Sequence, residues 1–312
     1  MDLNLREIQY LLAVCEEGTM TQAARLLHIA QPSLSQSIQK IEQSLGVQLF
    51  SRANKKKIKL TYAGERFMES ATKIIKISRD LENELQDISA LNSGRIILGI
   101  TLYLGSYLFA QIKRIYEGIH PGVVINLIEK SSSDLENLVI NGMADVAIMP
   151  IMNKPCSTEY ETLFKARIIL LIPLGHWMEK HIYYKEGCQF PFVDIRLAKN
   201  EAFLSGKKGQ RIREVTEYVF QKAEISPPII FESRSIETIK RLSAAGTGLA
   251  FMPDYYHDFI RIPQDVTYCY IEDEFNPDWK VAMLYQSQTD MSATVREFMR
   301  VIKKELARPS AI

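Results

Sequence analysis

Gln36, Gln39, Lys40 and Gln43 recur at the spacing of one helix face, with Ser33 and Ser35 beside them. A glutamine amide presents a donor and an acceptor together, which matches the edge of adenine, and a serine hydroxyl can bond several base edges. A solvated helix face usually mixes Glu with Lys, yet residues 31–41 contain no acidic residue. The row therefore points to insertion into a DNA groove. Just downstream, Arg52, Lys55, Lys56, Lys57 and Lys59 place five cations within residues 52–59. A charge run alone is most often a solvated loop. Beside a groove-reading helix it suits phosphate contact.

The elements that must position these residues are legible around them. Thr19 or Thr21 can cap a short helix carrying Met20, Ala23, Ala24 and Leu27 on its apolar side. Pro32 stands where the next helix begins, Leu34, Ile38, Ile41 and Leu45 form its inner stripe, and Gly46 stops it. An earlier helix turns Leu5, Ile8, Leu12 and Cys15 inward. Three helices this short need one another to bury a core. Residues 49–61 then read as a basic hairpin, or wing. Thr61 caps a long helix running to about residue 90. Along it, Phe67, Ala71, Ile74, Ser78, Leu81, Leu85 and Ile88 alternate at spacings of four and three, the pattern of a coiled-coil seam. The alternative is one amphipathic helix lying on its own domain. The narrow stripe favours a partner helix and hence a dimer, which would set two reading helices on one duplex. Leu91-Asn92-Ser93-Gly94 breaks the helix.

From Arg95 onward the pattern alternates between strands and helices. Strands are expected at 95–100, 123–129, 145–149, 159–164, 167–173, 190–194, 201–204, 228–232, 248–252, 265–271 and 279–286. Helices are expected at 105–119, 133–141, 209–223, 235–246 and 291–306. Such alternation implies parallel sheets covered by helices, with ligands bound at the carboxyl ends of strands. Several expected strand ends are polar. Thr101, Tyr103 and Ser106 follow the first, Ser131 and Ser132 the second, and Met149-Pro150 the third. Ser205 to Arg211 and Phe231-Glu232-Ser233 follow later ones. Each Ser alone is most simply a helix cap. Five such segments together indicate a cleft for a small anion, with Arg211 supplying a charge-assisted bond.

Composition narrows the class. The 312 residues are 46% hydrophobic, enough for two or three globular domains. The net charge of +1 conceals an uneven distribution. Residues 1–61 carry an excess of three positive charges, residues 62–92 an excess of two negative ones, and the remainder is balanced. The start MDLNLREIQY lacks the charged head and apolar core of a signal peptide, and no apolar run reaches membrane-spanning length. Cys15, Cys156, Cys188 and Cys269 lack metal-ligand spacing and are expected as reduced packing residues in a cytoplasmic protein. His176 and His181 lack metal-site spacing, Gly246-Thr247-Gly248 fits a turn rather than a dinucleotide motif, and no nucleophile motif occurs. No enzyme, cofactor or metal is expected. The rival reading is a small-molecule-binding or enzymatic α/β protein whose N-terminal helices serve only oligomerisation.

The order GTMTQAARLL, AQPSLSQSIQKIEQSLGVQLF, basic wing and LTYAGERF resembles the LysR-type transcriptional regulators over nearly the whole chain. FESRSIETIKRLSAAGTGLAFMP resembles their second effector subdomain. The resemblance implies an all-α winged helix-turn-helix at 1–61, a linker and dimerisation helix with hinge at 62–92, and an α/β effector domain at 93–312. That domain would hold two Rossmann-like subdomains of the periplasmic-binding-protein kind, about 93–163 with 268–306 and about 164–267. Crossings between them would fall near 163–168 and 264–270. The implied partners are double-stranded DNA, a small-molecule effector such as a carboxylate or aromatic acid, and further copies in a homodimer or homotetramer. The setting would be the bacterial nucleoid, with no membrane.

By resemblance, Gln31, Pro32, Ser35 and Gln36 approach base edges, and Gln39 joins them from its place on the face. Thr21, Ser33, Lys40 and Arg52 lie near the DNA backbone, with Lys55, Lys56 and Lys57 of the wing. Thr101, Tyr103, Ser132 and Pro150 line the effector cleft, to which the strand-end reading adds Ser106, Ser131, Met149, Ser205, Arg211 and Phe231. Some members sense oxidants through paired cysteines, but Cys156 and Cys188 are read as isolated. Two departures stand out. The position of Gln36 usually holds Arg, which reads guanine, so base preference should shift toward adenine. Tyr103 is bulkier than the usual Ser or Thr, which implies a narrower cleft or an aromatic ligand.

Overall fold

A computed structural model of the protein describes residues 3–51, 58–88, 94–152, 158–259, 266–287 and 291–306. They form two compact units, Met1–Gly94 with Asn141–Met143, and Arg95–Ile140 with Ala144–Ile312.

The first unit opens with α1 (Leu5–Glu17). Asn4 and Glu7 form a capping box in which each side chain accepts the other's backbone N–H. Helix α2 (Met20–Leu26) is capped by Thr19, whose Oγ1 accepts the Gln22 N–H at 3.2 Å, so Thr21 is left on the surface. Helix α3 (Gln31–Leu45) has Pro32 in its first turn and ends at Gly46, whose φ of +69° is a left-handed cap that other residues resist. Ile8, Leu11, Leu12, Ala23, Ala24, Leu34, Ile38 and Ile41 close the core. Leu5, expected inside, is 43% exposed. It lies in the first turn of α1, where Leu11 rather than Leu5 completes the inner face.

Strands β1 (Phe50–Ser51) and β2 (Lys59–Leu60) pair antiparallel as the base of the wing. Helix α4 (Tyr62–Ile88) follows, started by Thr61, whose hydroxyl accepts the Gly64 N–H at 3.0 Å and donates to the Gln48 carbonyl at 2.6 Å. At Gly64 the helix passes so close to Leu49 that a Cβ would lie 2.1 Å from its carbonyl oxygen.

The expected seam divides. Ala71 is buried in the unit's own core with Met68 and Ile75, and Phe67 packs against that core. These two are corrected from seam to core, because the first half of α4 lies on α1. Ile74, Leu81 and Ile77, which the seam had omitted, are 45%, 54% and 66% exposed. The side chains of Leu85 and Ile88 lie outside the described residues.

The second unit holds two mixed sheets. The first comprises β3 (Gly94–Thr101), β4 (Val123–Lys130), β5 (Val146–Met152), β6 (Glu159–Ala166) and, from near the end of the chain, β13 (Trp279–Tyr285). Its order is β4-β3-β5-β13-β6, covered by α5 (Leu102–Ile119), α6 (Ser132–Ile140) and α10 (Ala293–Leu306). The second comprises β7 (Ile168–Pro173), β8 (Phe192–Val193), β9 (Phe203–Gly206), β10 (Ile229–Ser233), β11 (Leu249–Pro253) and β12 (Val266–Ile271), ordered β10-β9-β11-β7-β12-β8. Helices α7 (Arg211–Lys222), α8 (Ile236–Ala244) and the short α9 (Tyr256–Phe259) accompany it.

The sheets are not purely parallel. Strand β13 runs antiparallel to β5 and β6, and β7 antiparallel to β11 and β12. A strand that returns from the other lobe must enter against the local direction, which periodicity does not reveal. The chain crosses at Arg167 and again at 272–278, not at 264–270. Val266 to Tyr270 stay paired with β7 from Pro173 to Ile169, so β12 belongs to the second sheet and the polar stretch after it crosses. At the crossings the Ile168 N–H donates to Asn276 Oδ1 at 3.2 Å, and the Arg167 N–H to Asp254 Oδ2 at 3.2 Å. The Arg167 guanidinium pairs with Asp273 and lies 4.7 Å from the Tyr270 ring centroid.

Candidate functional site

The first candidate site is the outer face of α3. Its inner stripe is buried, which forces Gln31, Pro32, Ser33, Gln36, Gln39 and Lys40 to the surface; Ser35 is half-buried. Thr21 on α2 is exposed as well. The helix carries one acidic residue, and it faces inward. Glu42 is 9% exposed, and its Oε1 accepts the N–H groups of Leu49 at 2.8 Å and Phe50 at 3.0 Å. That carboxylate ties the end of α3 to the wing and keeps negative charge off the outer face. Arg52, Lys55, Lys56 and Lys57 lie outside the described residues. The sequence pattern had shown an acid-free run up to residue 41, but not what Glu42 was for, since its partners lie seven and eight positions on.

The second candidate site is a cavity of about 560 Å³ in the α/β unit. Four helix starts meet at it, represented by Thr101 and Leu102 of α5, Ser131 and Ser132 of α6, Gln210 and Arg211 of α7, and Ile236 of α8. Free N–H groups and aligned dipoles at such ends favour an anion. Side-chain charge agrees, because Lys130, Lys208, Arg211 and Arg234 line the space against Glu129 and Asp134. Arg211 pairs with Glu214 through Nη1 at 2.7 Å, while its Nε is buried without a hydrogen-bond partner. Leu102, Ile236, Pro150, Pro253, Tyr256 and Trp279 give the cavity apolar walls. Burial holds Tyr256 well above the ordinary phenol pKa, so it is neutral there.

Of the ten residues expected in this cleft, Thr101, Tyr103, Ser131, Ser132, Pro150 and Arg211 line it. Four do not. Met149 is fully buried on the other face of β5, beneath Leu135 and Val139 of α6, because neighbours on a strand face opposite ways. Ser205 is buried and bonds Thr216 of α7 at 2.9 Å. Ser106 lies exposed one turn into α5 and donates to the Leu102 carbonyl at 3.0 Å. Phe231 is exposed on the edge strand β10. Ser131 also caps, bonding Asp134 through both its side chain and its N–H.

Several lining residues escaped the sequence reading. Lys208 and Gln210 lie within the segment singled out after β9. Arg234 and Ile236 follow the one after β10. Trp279 and Tyr256 carried no signal in the local pattern. Among the described residues no cluster of His, Cys, Asp and Glu could hold a metal, and no helix is long and apolar enough to cross a membrane. Cys15, Cys188 and Cys269 are free thiols, and burial pushes Cys269 up to about 12. Cys156 lies outside the described residues.

Comparison with known proteins covers both sites. Residues 5–65 match the family described as bacterial regulatory helix-turn-helix protein, lysR family, and residues 89–307 match the LysR substrate binding domain. A similar curated relative is the uncharacterised HTH-type transcriptional regulator YcgK of Bacillus subtilis, 28% identical over 97% of this chain and 95% of its own. Full-length OxyR from Pseudomonas aeruginosa, solved as a point variant, superposes with a TM-score of 0.70 at 22% identity, covering 100% of this chain and 97% of that one. CbnR, solved full-length in complex with its target DNA, gives 0.63 at 19% identity over 97% and 99%.

Proposed function

The chain belongs to the LysR family of bacterial helix-turn-helix regulators, and from that premise we propose how its parts are used. It is a DNA-binding transcriptional regulator with an effector-binding domain, in a family of regulators rather than enzymes. The observation that carries the reading is the exposed, acid-free polar row on α3, held by a buried stripe and a buried glutamate.

In our reading α3 enters the major groove. Gln31, Pro32, Ser35, Gln36 and Gln39 meet base edges. Thr21, Ser33, Lys40 and the wing cations Arg52, Lys55, Lys56 and Lys57 meet phosphates. Gln36 gives that contact a preference for adenine. Residues 1–61, 62–92 and 93–312 act as reader, linker and sensor. The protein works in the cytoplasm as a homodimer or homotetramer, in which a second copy covers Ile74, Ile77 and Leu81 of α4. Their exposure supports this, since three large apolar residues on one stretch of helix favour a partner.

The effector is a small anion, a carboxylate or aromatic acid, bound in the 560 Å³ cavity. The convergence of helix starts and the surplus of cations support that class. A ligand that prefers one arrangement of the effector domain shifts DNA affinity by linkage.

Fluorescence anisotropy of the purified protein on its own upstream DNA tests the reading. Binding should prefer that sequence and weaken steeply with salt. Sequence-indifferent binding, or none, would remove the regulator assignment of these residues.

A further inference from the structure

One side chain joins the two lobes of the cleft. Tyr103, in the first turn of α5, donates its hydroxyl to the Arg234 carbonyl at 2.9 Å and accepts the Ile236 N–H at 2.6 Å. Its ring meets Tyr256 edge-on, with centroids 5.9 Å apart. Helix α5 covers the first sheet and α8 the second, so this hydroxyl spans from lobe to lobe.

The two bonds are not equivalent. Ile236 is the first residue of α8, and the capping hydroxyl of Ser235 serves Thr238 instead. The Tyr103 oxygen therefore satisfies one of the helix-start donors. The Arg234 carbonyl has a second donor, Gln210 Nε2 at 3.1 Å. If Tyr103 leaves, the carbonyl keeps a partner and the amide does not. Whatever replaces the hydroxyl must be an acceptor. The site favours a charged one, since the amide stands at a helix start beside Arg211 and Arg234. A carboxylate at a backbone N–H forms a stronger bond than a neutral phenol.

We propose that Tyr103 determines the specificity of the cleft by competing for the Ile236 amide, so that an oxyanion ligand enters by displacing the hydroxyl that bridges the lobes. This rests on the cleft being the effector site, but the bridge itself can be measured without a ligand. A neutral ligand of similar shape lacks the charge that displaces the phenol. An acid both fills the cavity and releases the lobe-to-lobe bond, which couples binding to domain geometry.

The test uses the full-length chain and Tyr103→Phe, which keeps the ring and removes the oxygen. Hydrogen exchange should quicken roughly threefold to tenfold at the start of α8 and stay unchanged at β8. Calorimetric titration with benzoate should show three- to tenfold tighter binding to Tyr103→Phe, with benzylamine, which is protonated and carries no acceptor for the freed amide, gaining nothing. Tyr103→Ser, which also removes the ring, should move exchange and benzoate binding in the same directions and guards against an effect peculiar to Phe. Unchanged exchange at α8 in the folded variants overturns the bridge. Equal benzoate affinity in wild type and Tyr103→Phe, including none in either, overturns the competition. The effector reading is decided separately, by whether a ligand that binds changes DNA affinity.

Discussion

The outer face of α3 and the cavity of the α/β unit are both polar surfaces built for recognition, but they hold their polar groups differently. On α3, Gln31, Gln36, Gln39 and Lys40 are exposed, and the acid nearby is turned inward to serve the wing. In the cavity, hydroxyls are already engaged: Ser131 with Asp134, Tyr103 with Arg234 and Ile236. A surface that meets a large, highly charged duplex gains from presenting donors and acceptors ready to bind. A cleft that must respond to a ligand gains from contacts the ligand can replace, because only differential binding shifts an equilibrium.

The contrast breaks first at the frame behind α3. Gly64→Ala puts a Cβ against the Leu49 carbonyl and should cost about 3 kcal/mol in a denaturation experiment. Glu42→Ala, which strands two buried N–H groups, should cost about as much. Stability within about 0.5 kcal/mol of wild type for both would mean that the reader face is not rigidly held.

Next in size is the face itself. Gln36→Ala combined with Lys40→Ala should weaken operator binding by roughly 2 kcal/mol, about thirtyfold, while the melting temperature and oligomeric state stay unchanged. A matching fall in melting temperature would show that these side chains support the fold instead of standing ready for DNA.

Leu81→Asp, on the exposed stripe of α4, should weaken self-association about tenfold or more in sedimentation, without loss of helix content. An unchanged sedimentation profile would place the interface elsewhere.

The smallest effect separates frame from cleft within the α/β unit. Ser205→Ala removes one buried hydroxyl whose partner Thr216 still donates to the Ile212 carbonyl at 3.0 Å, so it should cost about 1 kcal/mol and leave benzoate binding untouched. A loss of binding would return Ser205 to the cleft.

The two regions also differed in how far the sequence exposed them. The helices of the reader, the turn at Gly46, the cap at Thr61 and the polar row on α3 all follow from spacing within one element. All eleven expected strands and all five expected helices of the α/β unit are present, with shifted ends. The misplacements need partners distant in sequence. Met149 stands at a strand end that points to the cleft, but pleat parity turns it beneath α6. Ser205 reads locally as a free hydroxyl, but its partner Thr216 sits on α7, across the turn that follows β9. Phe67 and Ala71 obeyed the seam period, but α1 occupies that side of α4. The bridge from Tyr103 spans 133 positions, a separation that no periodicity encodes.

Selection of bound sequences from a random DNA pool, run with the wild type and with Gln36→Arg, measures most directly whether the exposed row on α3 reads bases. The wild type should enrich adenine at one position of each half-site, and Gln36→Arg should change that position alone to guanine. The same guanine requirement in both proteins, or no enriched sequence in either, would contradict it.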